Sequence, residues 1–174
     1  VGGVGRLARS KGFDVLLRAF REAALPQARL VIVGDGRERG ALEQLAAGLP
    51  VRFLGYRGDA KDFYQAFDLF VSPSRSEPLG RVLFEALDAG APVLATRTQG
   101  PSEILARYPG RLVPVDDVGA MAAALRELRA RPPARTTLDL GAYHLDHVCR
   151  ETVAAYQSLI DARQARQSSP HDLR

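Results

Sequence analysis

Short apolar runs recur along this chain, apolar at consecutive rather than alternate positions, and each is followed by a stretch with helical spacing. ARLVIV over 28–33, DLFVSPS from Asp68, PVLAT over 92–96 and RLVPV from Arg111 are such runs. A strand apolar at every position has both faces buried, whereas a hairpin strand with one wet face alternates. Strands of this kind, separated by helices, specify an α/β fold. The expected architecture is a Rossmann-like parallel sheet with helices on both faces.

The remaining elements follow from the same reading. VGGVGRL is a glycine-rich strand that ends in a loop carrying Arg6, Arg9, Ser10 and Lys11. Phe13, Leu16, Leu17, Phe20 and Ala24 then recur at helical spacing until Pro26 stops the pattern. Gly34-Asp35-Gly36 turns the chain, VRFLG from Val51 is a further strand, and helices are expected over 39–47, 59–67, 102–107 and 118–130. RARPPAR around Pro132 and Pro133 acts as a linker, and 143–162 reads as a final amphipathic helix with Val148, Val153, Tyr156, Leu159 and Ile160 on its apolar side. Three segments are therefore expected: a Rossmann-like domain over 1–131, a linker and C-terminal helices over 132–163, and a disordered polar tail over 164–174. The segment 132–163 is expected to pack on this domain or on an N-terminal domain outside these residues. The chain opens directly on a strand, with no leader and no initiating Met, and reads as one domain of a longer protein with part of a shared ligand crevice elsewhere.

Composition narrows the function. The 174 residues, 46% hydrophobic and 25% charged, fit one domain with a sizeable core. No run approaches the roughly 20 apolar residues of a membrane-spanning helix, so a soluble cytoplasmic module is expected. The single cysteine, Cys149, excludes an internal disulfide and reads as a partly buried structural thiol. A net charge of +4 favours anionic ligands or an anionic membrane surface. Nucleic acid is disfavoured, because the chain has no Trp, only 7% aromatics and no clustered basic stripe.

The stretch RSEPLGRVLFEA at 75–86 carries the clearest chemistry. Glu77 falls in a loop with Pro78 and Gly80, and Glu85 falls eight positions later inside an apolar helix, where a carboxylate needs a hydrogen-bond partner or a polar cleft. Two such acceptors can grip hydroxyls from two directions, and the free N–H groups of a helix beginning near Gly80 can hold an anion. A phosphorylated sugar needs both. Arg6 and Lys11, just after the first strand, can meet an anion over the sheet edge, although solvated surface charge explains them equally well. GDGRER at 34–39 lacks the third glycine of a dinucleotide fingerprint, and no GxxxxGK[ST] loop exists. Gly34 instead allows close passage of backbone beneath a ligand or simply reverses the chain. No Asp-x-Asp pair offers a metal site for a diphosphate, so positive side chains would have to replace the ion. His144 and His147, with Asp146 between and Cys149 beyond, read as helix-surface or packing residues rather than metal ligands.

Taken together, VGRLARSKGFDVLLRAF, LVIVGDGRERGALEQLA, VRFLGY and DLFVSPSRSEPLGRVLFEALDAGAPVLATRTQGPSEI resemble, in order, the C-terminal donor-binding domain of the retaining GT-B glycosyltransferases of family 4, or group 1. The resemblance implies retaining, metal-independent transfer from a nucleoside diphosphate sugar, with no other cofactor. It implies that Arg6 and Lys11 neutralise the diphosphate, that Glu77 lies near the transferred sugar, and that Glu85 accepts from the ribose. Tyr56 and Arg57 fall in the region lining the base pocket, and Gly34, Leu79, Gly80 and Val82 join the donor site. The acceptor, a glycan or lipid-linked molecule, is implied to enter through an N-terminal domain outside these residues, with peripheral association of the whole protein at the inner face of a membrane. The variants EPLG and GPSEI look like enzymes of bacterial surface polysaccharide or lipopolysaccharide synthesis. Two other classes share the architecture: a non-catalytic nucleotide-binding interaction module and a nucleotide-sugar epimerase.

Overall fold

The computed structural model describes residues 1–136, 138, 140, 141 and 145–168. Contacts divide the chain into two units, Val1–Leu138 and Asp139–Arg174. The first holds a sheet of six parallel strands: β1 (Gly2–Val4), β2 (Leu30–Val33), β3 (Val51–Phe53), β4 (Phe70–Ser72), β5 (Val93–Thr96) and β6 (Arg111–Val113). Their order is β3-β2-β1-β4-β5-β6. The inner strands β4 and β5 are buried at every residue, the pattern that their consecutive apolar residues Phe70-Val71 and Val93-Leu94-Ala95 predict.

Two consecutive glycines let helices close on both faces of β1. Successive strand residues point to opposite faces. A Cβ on Gly2 would run into the Phe67 ring, and one on Gly3 would come 2.9 Å from the Phe13 ring. Phe13 opens helix α1 (Phe13–Ala23), and Phe67 ends helix α3 (Ala60–Ala66). The α1 side also carries α2 (Arg39–Leu45) and α6 (Val118–Ala130), with Leu16, Leu17, Phe20, Met121 and Leu125 in one core. On the α3 side, α4 (Arg81–Asp88) packs between α3 and α5 (Gln99–Leu105). The strand order reverses between β1 and β4, with β2 and β3 added on one side and β5 and β6 on the other, and such a switch point opens a crevice at the carboxyl ends of the strands.

Helix α6 spans the predicted residues, while α5 begins at Gln99, three positions before the expected start. Pro101 sits in its first turn, where the missing N–H has no helical acceptor to lose. The second unit carries α7 (Leu145–Ser168), which runs beyond the expected end at 162 and through 164–168, part of the expected disordered tail. Its last turns read QARQ, residues of good helix propensity. Val148, Val153, Tyr156, Leu159 and Ile160 are exposed on α7. Cys149 is also exposed rather than partly buried, since the helix around it is solvated. Tyr143, His144 and the tail over 169–174 lie outside the described residues. Among the described residues no helix is long and apolar enough to cross a membrane.

Candidate functional site

Lys11 closes a single 3₁₀ turn, Arg9–Lys11, and Gly12 follows with φ 65°. A side chain at Gly12 would collide with the Pro73 carbonyl, so glycine lets the loop after β1 press against the loop after β4. Two backbone bonds then stitch these loops, with Arg75 N–H and Ser76 N–H donating to Ser10 O at 2.8 and 3.3 Å. Arg75 adds a side-chain clamp. Its guanidinium donates to Arg9 O at 2.7 Å, to both oxygens of Asp14 at 2.7 and 2.9 Å, and pairs with Asp116 at 2.6 Å. The hydrogen bonds from Arg75 hold the Asp14 carboxyl below its ordinary pKa, against the opposing effect of burial.

This stitching brings Lys11 to Glu77. Lys11 Nζ donates to Glu77 Oε2 at 2.5 Å, and Glu77 Oε1 accepts from Gly80 N–H at 3.0 Å. Burial pushes the Glu77 carboxyl up, but Lys11 and the N–H groups of Gly80 and Leu79 together outweigh it, so its pKa is lowered. Gly80 is the left-handed N-cap of α4, with φ 80°. Gly100 in α5 supports the loop from behind. Its N–H donates to Glu77 O at 2.9 Å, and a Cβ there would come 2.6 Å from the Leu79 backbone carbon.

Glu85 has the partner that its apolar setting requires. Tyr64, fully buried in α3, donates its hydroxyl to Glu85 Oε2 at 2.9 Å. Its ring is fixed edge-on against Phe70 at 5.2 Å and Phe67 at 6.1 Å. Burial first, then the Glu85 charge, pushes the Tyr64 phenol far above its ordinary pKa, so it remains a donor. Arg81 approaches Glu85 Oε1 at 3.9 Å. Lys11, Glu77, Leu79, Arg81, Val82 and Glu85 line one open cleft of about 320 Å³. It can offer carboxylates to hydroxyls, and an ammonium with the first-turn N–H groups of α4 to an anion.

The other predicted residues, Arg6, Gly34, Tyr56 and Arg57, are not in the lining of this cleft, whereas Gly80 caps the helix that borders it. Arg6 follows β1, is exposed, and makes no side-chain hydrogen bond or ion pair among the described residues. Gly34 packs its backbone on Gly5, and its N–H donates to Gly55 O at 2.8 Å, so it shapes the edge rather than offering a donor. Tyr56 is 83% exposed beyond β3. Arg57 pairs with Asp59 at 2.7 Å and lies 5.6 Å over the Phe63 ring. Sequence reasoning missed Arg75, Tyr64 and Gly100. Of these, only Tyr64 had a signal, the need for a donor to Glu85. Among the described residues no three His, Cys, Asp or Glu side chains converge as metal ligands.

Residues 1–131 match the family model described as "Glycosyl transferases group 1". The chain belongs to this family. The lipopolysaccharide core biosynthesis glycosyltransferase LpsD of Rhizobium meliloti is 44% identical over 147 residues, 81% of this chain and 42% of that protein. The crystal structure of Anabaena HepE (Alr3699) in complex with UDP and glucose superposes with a TM-score of 0.77 at 27% identity, covering 90% of this chain and 47% of that one. The C-terminal domain of the group 1 protein LpcC from Francisella tularensis shares the fold, with a TM-score of 0.63 at 24% identity over 74% of each chain. The chain thus spans less than half the length of LpsD and HepE. Its Rossmann-like sheet is the fold of one half of a GT-B glycosyltransferase.

Proposed function

We propose that the cleft at the carboxyl edge binds a nucleoside diphosphate sugar, and that the chain is the donor-binding part of a retaining, metal-independent glycosyltransferase. The observation that carries this reading is the convergence of Lys11, Glu77, Glu85 and the start of α4 on one cleft. In it the diphosphate faces Arg6, Lys11 and the N–H groups of Arg81 and Val82, with Leu79 and Gly80 alongside. Glu77 orients the sugar, Glu85 accepts from the ribose, and Tyr56 and Arg57 flank the base.

The chemistry fits those groups. Departure of the diphosphate builds negative charge on its oxygens, and fixed cations and helix donors stabilise that charge without rearranging. HepE was solved with UDP and glucose, which supports a donor of this class. The kinship to LpsD supports a glycan or lipid-linked acceptor in surface lipopolysaccharide synthesis, reached through a further domain, with the whole protein working on the cytoplasmic side and touching the membrane peripherally.

A thermal-shift panel of UDP, GDP, ADP and their sugars tests the reading. One nucleotide series should raise the midpoint saturably, equally with and without EDTA. Arg6→Ala and Glu85→Ala should each weaken that nucleotide about tenfold, the loss of one charge-assisted contact. A flat panel, or variants that bind like the parent, would refute the site.

A further inference from the structure

We propose that the Lys11–Glu77 ion pair makes the cleft select a sugar-bearing nucleoside diphosphate over the bare one, so that spent nucleotide is released. The inference rests on the donor-site reading above. It starts from a conflict within the site. The only ammonium in the cleft lining is already neutralised by a carboxylate 2.5 Å away. The two side chains are 25% and 10% exposed, so neither is freely solvated.

A bare diphosphate arriving at the start of α4 can meet the exposed Arg81 from the solvent side, but at Lys11 it meets an ammonium whose charge is spent and an anion beside it. Taking Lys11 from the pair leaves Glu77 Oε2 without its donor in a nearly closed position, which is costly for a carboxylate. Gly80 cannot compensate, because its N–H already serves Oε1. A sugar on the diphosphate changes the balance. Its hydroxyls are donors and can take the place of the ammonium at Oε2, freeing Lys11 for the phosphate at the same time. The donor therefore exchanges one partner for another at each end of the pair, whereas the bare nucleotide breaks the pair and repairs only one end. Once the sugar has left, Glu77 draws Lys11 back and weakens the hold on the product.

Glu77→Gln separates these terms. The amide oxygen keeps an acceptor for Gly80 N–H, while its NH₂ group cannot hold an ammonium, so the loop survives and Lys11 is released. Calorimetry on the full chain should show the nucleoside diphosphate that binds the parent binding this variant about fivefold more tightly, the worth of one partly exposed ion pair. The matching sugar nucleotide should bind no more tightly than to the parent. In the Lys11→Gln background the same Glu77 substitution should gain clearly less, because no ammonium remains to be freed. The thermal midpoint of each variant reports folding, and Lys11→Gln opens the pair from its more exposed side if Glu77→Gln does not fold. Lys11→Gln alone should narrow the preference for sugar nucleotide over bare nucleotide.

Weaker or unchanged diphosphate binding in Glu77→Gln would overturn the pair's selective role while leaving the donor site intact. An undiminished gain in the Lys11→Gln background would also overturn it, since simple repulsion by Glu77 would then explain the effect. A parent chain that binds no nucleotide would overturn both this inference and the donor-site reading.

Discussion

Tyr64→Phe removes one oxygen from the protein and leaves the ring, with its edge contacts to Phe67 and Phe70, in place. Glu85 Oε2 then loses its only direct side-chain donor among the described residues. A hydrogen bond to a charged group is worth about 1.5–3 kcal/mol, and the Glu85 side chain is 26% exposed, so water recovers part of it; a loss of about 1.5 kcal/mol is expected at neutral pH. The alkaline limb gives a second reading. Burial and the Glu85 charge raise the Tyr64 pKa in the folded protein, while the unfolded phenol titrates near 10. The parent's Tyr64 contribution is therefore complete below about pH 10 and lost as pH rises above it, by about 1.4 kcal/mol at one unit higher. Tyr64→Phe lacks this term, so the gap between variant and parent should close almost completely near pH 11. Urea unfolding at the two pH values measures both effects. A loss below about 0.3 kcal/mol at neutral pH, or a gap that does not narrow, would refute the claim that Tyr64 holds Glu85.

Gly100→Ala should destabilise the chain by about 2 kcal/mol and weaken nucleotide binding, because its Cβ has only the Leu79 backbone to displace. Unchanged urea and nucleotide midpoints would show that the Glu77–Gly80 loop does not depend on α5. In acid, Asp14 and Glu77 both have lowered pKa values when folded, so their contribution is present above about pH 4 and is lost as pH falls through the folded values. Arg75→Met removes the main cause at Asp14 and should flatten the acid limb of stability. An acid limb as steep as the parent's would refute that cause.

The sheet and most helices are legible in the sequence because burial on both faces leaves a local signature, as in VLAT of β5 and the spacing within α1. The start of α5 is not, because Pro101 reads as a breaker until its place in the first turn is known. The far end of α7 is hidden for the opposite reason, since QARQ is polar enough to read as tail and a good enough helix former to continue. In the site, Lys11, Glu77 and Glu85 are each visible by position, yet their partners are not. Lys11 finds Glu77 across 66 residues, and Tyr64 reaches Glu85 across 21. Arg75 lies 61 residues from Asp14, and in a loop sequence it looks like ordinary solvated charge.

Those partners change what the site charges can do. Lys11 is held by Glu77, Glu85 by Tyr64 and Arg57 by Asp59, whereas Arg6 stands exposed with no such partner among the described residues. An exposed, unpaired cation attracts any anion over a distance set by ionic strength. Paired groups act differently, because a ligand gains from them only by replacing the contact they already have. Under the proposed function, Arg6 therefore adds a salt-dependent attraction to its phosphate contact, and the paired residues govern which nucleotide stays. The switch point makes this division possible, since β1 delivers the cations and β4 the carboxylates to adjacent loops that Arg75 and the backbone of Ser10 lock together.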